Sequence, residues 1–227
     1  MNPFYDLFYL FFPRVCGACG NVLFKHEDAL CLQCIHNLPK TNHLQEPENY
    51  LVKLFWGRFP IHAAAAYYTF SKGSKVQNML HELKYKGNNE VGIKAGSLMG
   101  KDLNKTEQYQ NIDFIIPVPL HPKKFKKRGY NQSEEIAKGL AKSMSVPLDT
   151  KLLTRGVFTE TQTKKSRFNR WQNVEDVFVV NNNEALVGKH VLLVDDVITT
   201  GATIEACAQK LIAAGVQKIS VVSIACA

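Results

Sequence analysis

The chain has 227 residues, 45% of them hydrophobic, with 28 Lys and Arg against 20 Asp and Glu for a formal charge of +8. That length suits one main domain with a small appendage, and the apolar share is enough to bury a sizeable core. The run Leu7-Phe8-Tyr9-Leu10-Phe11-Phe12 is too short to span a bilayer and lacks a basic flank and small-residue cleavage site, so neither a membrane span nor a signal peptide is expected from it, and a peripheral membrane contact is the minor alternative to packing on the body. A soluble protein of the cytoplasm is expected.

In chain order, that aromatic run reads as a helix packed on the body. Cys16-Gly17-Ala18-Cys19 and Cys31-Leu32-Gln33-Cys34 follow, two C-x2-C pairs eleven residues apart. Each pair presents two thiolates from one turn, and two such turns complete a tetrahedron around zinc. A short hairpin over 22–30 would span the spacer. Two disulfides are the competing reading, disfavoured in a reducing compartment. Cys207 and Cys226 fall in an apolar helix and strand and read as buried and inert. Residues 37–50 are polar, contain two prolines and read as a connection, dividing the chain into a metal module over 1–50 and a main domain over 51–227.

The main domain alternates strands and helices. Residues 63–70 read as a strand, and 75–85 carry apolar Val76, Met79, Leu80 and Leu83 at helical spacing. A helix over 91–103, a strand over 112–118 and a helix over 131–144 follow, with Asn131 suited to the N-cap. Short strands are expected at 176–180 and 191–194, then a helix over 203–214 and a last strand over 218–225. This order implies an α/β fold, a mostly parallel sheet with flanking helices, beside the small zinc-ribbon-like N-terminal module.

The richest stretch is Val191-Leu192-Leu193-Val194-Asp195-Asp196-Val197-Ile198-Thr199-Thr200-Gly201-Ala202-Thr203. A buried strand delivers two carboxylates and then a Thr/Gly loop that opens a helix. Ligands of parallel sheets bind at such carboxyl ends. The loop N–H groups, the threonine hydroxyls and the helix dipole favour a phosphate, and Gly201 lets the backbone come close. Two acids beside a phosphate cradle make sense if they accept hydrogen bonds from sugar hydroxyls, or help hold a divalent metal, on the same ligand. A plain helix-capping role for the acids would not need the Thr-Thr-Gly-x-Thr that follows.

Charge adds a second theme. Residues 121–171 hold 13 basic and four acidic residues, an excess of nine, while the rest of the chain is nearly balanced. The asymmetry points to a polyanion, against the plainer reading of a solvated basic face. Phe125, Tyr130, Phe168 and Trp171 interleave with Lys123, Lys124, Lys126, Lys127, Arg128, Arg167 and Arg170, the composition of a single-strand stacking groove. The same aromatics would also serve as ordinary core.

The stretch 191–203 resembles the phosphoribosyl-pyrophosphate (PRPP) loop of type I phosphoribosyltransferases. With the cysteine pairs, Leu83-Lys84-Tyr85-Lys86-Gly87, Ile116-Pro117-Val118-Pro119-Leu120, Arg128-Gly129-Tyr130-Asn131-Gln132, Leu152-Leu153-Thr154-Arg155, Thr161-Gln162, Arg167 and Asn173-Val174, the chain resembles the ComF family of competence-type and GntX-like proteins. The resemblance implies that Asp195 and Asp196 bind ribose hydroxyls and that Thr199, Thr200, Gly201, Ala202 and Thr203 bind the 5-phosphate. It also implies pyrophosphate at the Leu120 and His121 N–H groups, with Lys126, Lys127 and Arg128 as charge partners. Zinc on Cys16, Cys19, Cys31 and Cys34, Mg2+ with PRPP, and a part in DNA uptake and natural transformation follow from it. Single-stranded DNA is the expected polyanion, and a competence helicase or recombination protein is a candidate partner. The alternative is an active phosphoribosyltransferase on an unidentified base or amine, with Asp195, Asp196 and Arg128 in catalytic roles. Lys164, Lys165, Arg167 and Arg170 would then belong to a loop closing over the site.

Overall fold

The computed structural model describes residues 12–156 and 177–226. The start of the aromatic run and the segment carrying Lys164, Lys165, Arg167, Phe168, Arg170 and Trp171 lie outside the described residues. In chain order the elements are α1 (Leu32–Asn37), α2 (Tyr50–Phe55), β1 (Ala63–Thr69), α3 (Lys75–Tyr85), α4 (Asn89–Leu103), β2 (Phe114–Pro117), α5 (Pro122–Arg128), α6 (Gln132–Met144), β3 (Leu153–Arg155), β4 (Phe178–Val180), β5 (His190–Ile198), α7 (Ala202–Ala213) and β6 (Lys218–Cys226).

Four strands form a sheet in the order β1-β6-β5-β2, and each neighbouring pair is parallel. Successive side chains point to opposite faces of a strand, so each apolar run feeds two cores. Ala65, Ile115, Leu192, Val194 and Val222 pack on one face with Met79 and Leu83 of α3, Val91 and Met99 of α4, and Ile136 and Leu140 of α6. Ala64, Ile116, Val191, Leu193 and Val221 pack on the other with Phe55 of α2 and Ile204 and Leu211 of α7. Coverage of both faces is why these strands read as continuous apolar runs. The cysteine module shares the first core, since Cys16, Leu30, Cys34 and Leu38 pack in the same cluster as α3 and α4.

Helices α4 and α6 touch backbone to backbone. A Cβ at Gly96 would lie 2.0 Å from the Ile136 carbonyl oxygen, and one at Gly139 would lie 2.0 Å from that of Ile93. This contact fixes α6, and α6 carries part of the site at its N-terminus.

The site exists because β2 stops early. Its register with β5 ends at Pro117 opposite Val194, with a last hydrogen bond from the Val118 N–H to the Val194 carbonyl at 2.8 Å. Pro117 and Pro119 have no N–H with which to extend the ladder. The expected strand over 191–194 instead runs to Ile198, because β6 continues to pair with it through Asp195–Ser223, Val197–Ala225 and Ile198–Cys226. The carboxylates therefore stand on a strand with one free edge, not beyond its end.

Other differences are local. Residues 122–128 form α5, with the His121 ring accepting from the Lys123 N–H at 3.1 Å and Pro122 in its first turn. Leu153–Arg155 pairs antiparallel with β4 in a separate two-stranded sheet. The hairpin expected over 22–30 does not form: Val22 bridges back to Val15, and Asp28 and Leu30 bridge across Ala29, whose φ is +50°. Among the described residues, no helix is long and apolar enough to cross a membrane.

Candidate functional site

The cleft opened by the short β2 measures about 180 Å3. Asp195 and Asp196 of β5 meet Val118, Pro119 and Leu120 after β2, Ser133 at the start of α6 and Thr203 at the start of α7. Lys84, Lys124, Arg128 and Arg155 line the same space. Four cations around two acids make a site that can take phosphate charge and sugar hydroxyls together.

Each side chain has a local support. The Asn131 side chain caps α6 by accepting from the Ser133 N–H at 3.2 Å and donates to the Val118 carbonyl at 3.0 Å. One residue thus ties the helix start to the strand end. The Ser133 hydroxyl donates to Asp195 Oδ1 at 3.0 Å, as does the Asp196 N–H at 2.8 Å. Lys84 Nζ at the end of α3 reaches Asp196 Oδ2 at 3.1 Å. Burial, then the charge of Asp196, pushes the Asp195 carboxyl up to about 7. The Arg128 guanidinium lies 5.4 Å from the Tyr85 ring centre and donates to the Gln132 side chain.

The phosphate end of the motif is a helix start without a side-chain cap. Gly201 has φ +76°, and its bare Cα faces Phe55, whose Cε1 would lie 2.6 Å from an added Cβ. Arg58 donates to the Thr200 carbonyl at 2.7 Å and so braces the loop from the far side. Thr199, Thr200, Ala202 and Thr203 are exposed; the Ala202 N–H makes a long bond of 3.5 Å to the Thr200 hydroxyl oxygen, and the helix start faces solvent where an anion can approach.

Residues 130–227 match the family model described as "Phosphoribosyl transferase domain". Over 217 residues the chain is 28% identical to the DNA utilization protein YhgH of Shigella flexneri, covering 91% of this chain and 88% of that protein. It is 29% identical over 214 residues to competence protein F of Haemophilus influenzae, covering 91% and 82%. It is 26% identical over 205 residues to competence protein ComFC of Bacillus subtilis, covering 89% and 79%. The chain is similar over about nine-tenths of its length to proteins named for competence and DNA utilization. Its fold is that of the type I phosphoribosyltransferases, with four cysteines clustered near the N-terminus.

The four cysteine sulfurs all lie within 4.8 Å of one another, and Cys19 and Cys31 are 3.8 Å apart. A tetrahedron with Zn–S bonds of about 2.3 Å has S···S edges of about 3.8 Å, whereas a disulfide is about 2.05 Å. All four thiols are free, and the set fits a metal ion. The second reading, two disulfides, is not what the structure shows. Burial works against a thiolate at Cys16, yet N–H groups of Cys31, Cys19 and Ala18 outweigh it and hold that thiol down at about 7. The Glu27 carboxylate clamps the loop by accepting from the N–H groups of Phe24 and Leu32 at 2.8 and 2.7 Å. Cys207 is buried and Cys226 half-buried.

The basic candidates divide. Lys124 and Arg128 line the cleft, whereas Lys123, Lys126 and Lys127 are exposed on α5, which buries none of its residues. The N–H groups of Leu120 and His121 have no protein acceptor among the described residues. Ser133 joins the cleft without having stood out in the sequence, and Gln132 and Arg155, part of two motifs but given no role there, join it too. Ser133 and Gln132 follow an N-cap, so their place at a helix start was legible, but not the strand they face. Arg155 sits in a three-residue strand whose partner lies 23 or more positions away.

Proposed function

We propose that the chain binds PRPP or a related ribose phosphate in the cleft and single-stranded DNA on the adjoining basic surface, and acts in DNA uptake and natural transformation. The observation that carries the ligand reading is the pairing of Asp195 and Asp196 with four cations in one cleft beside the uncapped start of α7. The acids suit the ribose hydroxyls, the Thr199–Thr203 loop suits the 5-phosphate, and the free Leu120 and His121 N–H groups with Lys124 and Arg128 suit a pyrophosphate. Mg2+ would arrive with that ligand and neutralise pyrophosphate charge. Zinc on the four cysteines would hold the N-terminal module in shape, as such sites contribute directly to folding.

The DNA reading rests on the exposed lysines of α5, with Phe125 and Tyr85 left exposed beside them, and on the relatives named for competence and DNA utilization. A competence helicase or recombination protein is a fitting partner for such a role. Calorimetric titration with PRPP, ribose 5-phosphate and pyrophosphate, each with and without Mg2+, tests the ligand reading. Saturable binding of PRPP that is lost in the Asp195→Asn, Asp196→Asn double variant is expected; undiminished affinity in that variant would overturn it.

A phosphoribosyl transfer is the second reading, favoured by one observation. The Asp195 carboxyl, raised by burial and by Asp196 to about 7, is poised to exchange a proton near neutral pH. Pyrophosphate release from PRPP, scanned across bases and amines, separates a transferase from a binding protein.

A further inference from the structure

Arg58, which grips the phosphate loop, lies 142 positions before Thr200 in the chain and in no part of the loop motif. It follows α2, and α2 is tied to the sheet. The Asn49 side chain accepts from the Leu51 and Val52 N–H groups at 2.9 and 3.2 Å and donates to the Ala64 carbonyl of β1 at 2.8 Å. Phe55 of α2 is fully buried and fills the space beside the bare Cα of Gly201. Arg58 thus reaches the loop from a fixed base.

Its bond to the Thr200 carbonyl, at 2.7 Å, sets the direction of a peptide. In a trans peptide the C=O and the following N–H point to opposite sides, and this one is trans. With the carbonyl held toward Arg58, the Gly201 N–H is turned away from it. That N–H has no acceptor among the described residues, although Gly201 is buried. A donor left unpaired in a buried residue is costly, so the site calls for an acceptor atom from a ligand. Turned the other way, the peptide would present its carbonyl oxygen to that ligand and repel an anion. Arg58 also lies 3.6 Å from Glu205 Oε2, in the first turn of α7. It offsets an acid that would otherwise oppose an anion at this helix start.

We infer that Arg58 is a positioning residue for the phosphate end of the ligand, aiming the Gly201 N–H at that phosphate without touching it. The inference rests on the ribose-phosphate reading of the cleft and deepens it: phosphate affinity is controlled from α2, outside the residues 130–227 that match the phosphoribosyltransferase model.

The test is calorimetric titration of the full chain with ribose 5-phosphate, and separately with pyrophosphate and Mg2+, in wild type, Arg58→Met and Arg58→Lys. Arg58→Met should weaken ribose 5-phosphate tenfold or more. Pyrophosphate, assigned above to the Leu120 and His121 end, should stay within twofold of wild type. Arg58→Lys keeps a donor and the charge beside Glu205 but loses the planar fork. It should lose two- to fivefold for ribose 5-phosphate, and it gives the comparison if the Met variant does not fold. An equal loss for pyrophosphate would mark general damage to the cleft and overturn the inference. Ribose 5-phosphate affinity unchanged in Arg58→Met, or in Arg58→Lys where the Met variant does not fold, overturns it while leaving the ribose-phosphate reading intact. No binding of ribose 5-phosphate to wild type would overturn that reading first, and the inference with it.

Discussion

Lys84 Nζ stands 3.1 Å from Asp196 Oδ2, joining the last turn of α3 to the free edge of β5. The contact places a cation against one acid of the pair, while among the described residues the other acid, Asp195, accepts from neutral donors, the Ser133 hydroxyl and the Asp196 N–H. The two carboxylates are therefore unequal. Burial and the charge of Asp196 push the Asp195 carboxyl up, and ligand hydroxyls would relieve it by adding donors.

That inequality sets a pH dependence. The folded state holds the Asp195 proton up to about 7, whereas an unfolded aspartate loses it near ~3.9. Between those values the folded chain binds the extra proton, so stability falls as pH rises and the full penalty is present above the window. Asp195→Asn should raise the melting temperature at pH 8, by on the order of a few kcal/mol of stability, and change little at pH 4. Thermal unfolding of both proteins across that range checks it, and parallel curves would show that Asp195 is not the titrating group.

Two glycines with the same backbone should respond differently to alanine. Gly201 has φ +76° and lies against Phe55; Gly129 has φ +82° and open space around it. Gly129→Ala should cost about 1–2 kcal/mol for the left-handed conformation alone. Gly201→Ala should cost a further ~1–3 kcal/mol for the clash with Phe55 and weaken ribose 5-phosphate binding by moving the loop. Urea denaturation of the two variants separates the effects; equal losses would mean that Phe55 yields freely.

Metal removal should be felt beyond the cysteine turns. Cys16, Cys34 and Leu30 pack in one core with Val91, and a Cβ at Gly17 would lie 2.5 Å from Val91 Cγ2. Protein prepared under reducing conditions without chelator should carry one zinc per chain by elemental analysis. Cys16→Ser or Cys34→Ser should lose it and aggregate on mild heating, since thiolate ligation is coupled to folding. Absence of zinc in the wild-type preparation would remove the claim.

The split of the α5 lysines gives a DNA-binding prediction with an internal control. Lys123, Lys126 and Lys127 are exposed and do not line the cleft, whereas Lys124 does. Replacing the first three by Glu should weaken single-stranded DNA binding and flatten its salt dependence by about 0.7 in log–log slope per lost phosphate contact. Ribose 5-phosphate affinity should stay unchanged. Lys124→Glu should reduce both. Wild-type protein that fails to retain single-stranded DNA at low salt would end the nucleic-acid reading.

Much of the fold was legible before any coordinates. Periodicity placed α3, α4, α6 and the sheet strands within a few residues, because each buries a continuous apolar face whose spacing is written locally. The Asp195-Asp196 pair and the Thr199–Thr203 loop were legible for the same reason: strand, acids, loop and helix start are consecutive in the chain. The cysteine quartet was legible from two spacings. What stayed hidden was every relationship across the chain. The sequence showed Pro117 and Pro119, but not that they stop β2 opposite Val194 and thereby open the edge on which Asp195 stands. It showed Lys84 at a helix end but not its pairing with Asp196, and nothing local says that Arg155, in a short apolar stretch, reaches the same cleft. It showed Gly96 and Gly139 without their partners across α4 and α6. Local propensity and hydrophobic period act over a few residues, so they are written along the chain. The placing of a cation against a carboxylate more than a hundred positions away is decided only when the two cores close on the sheet.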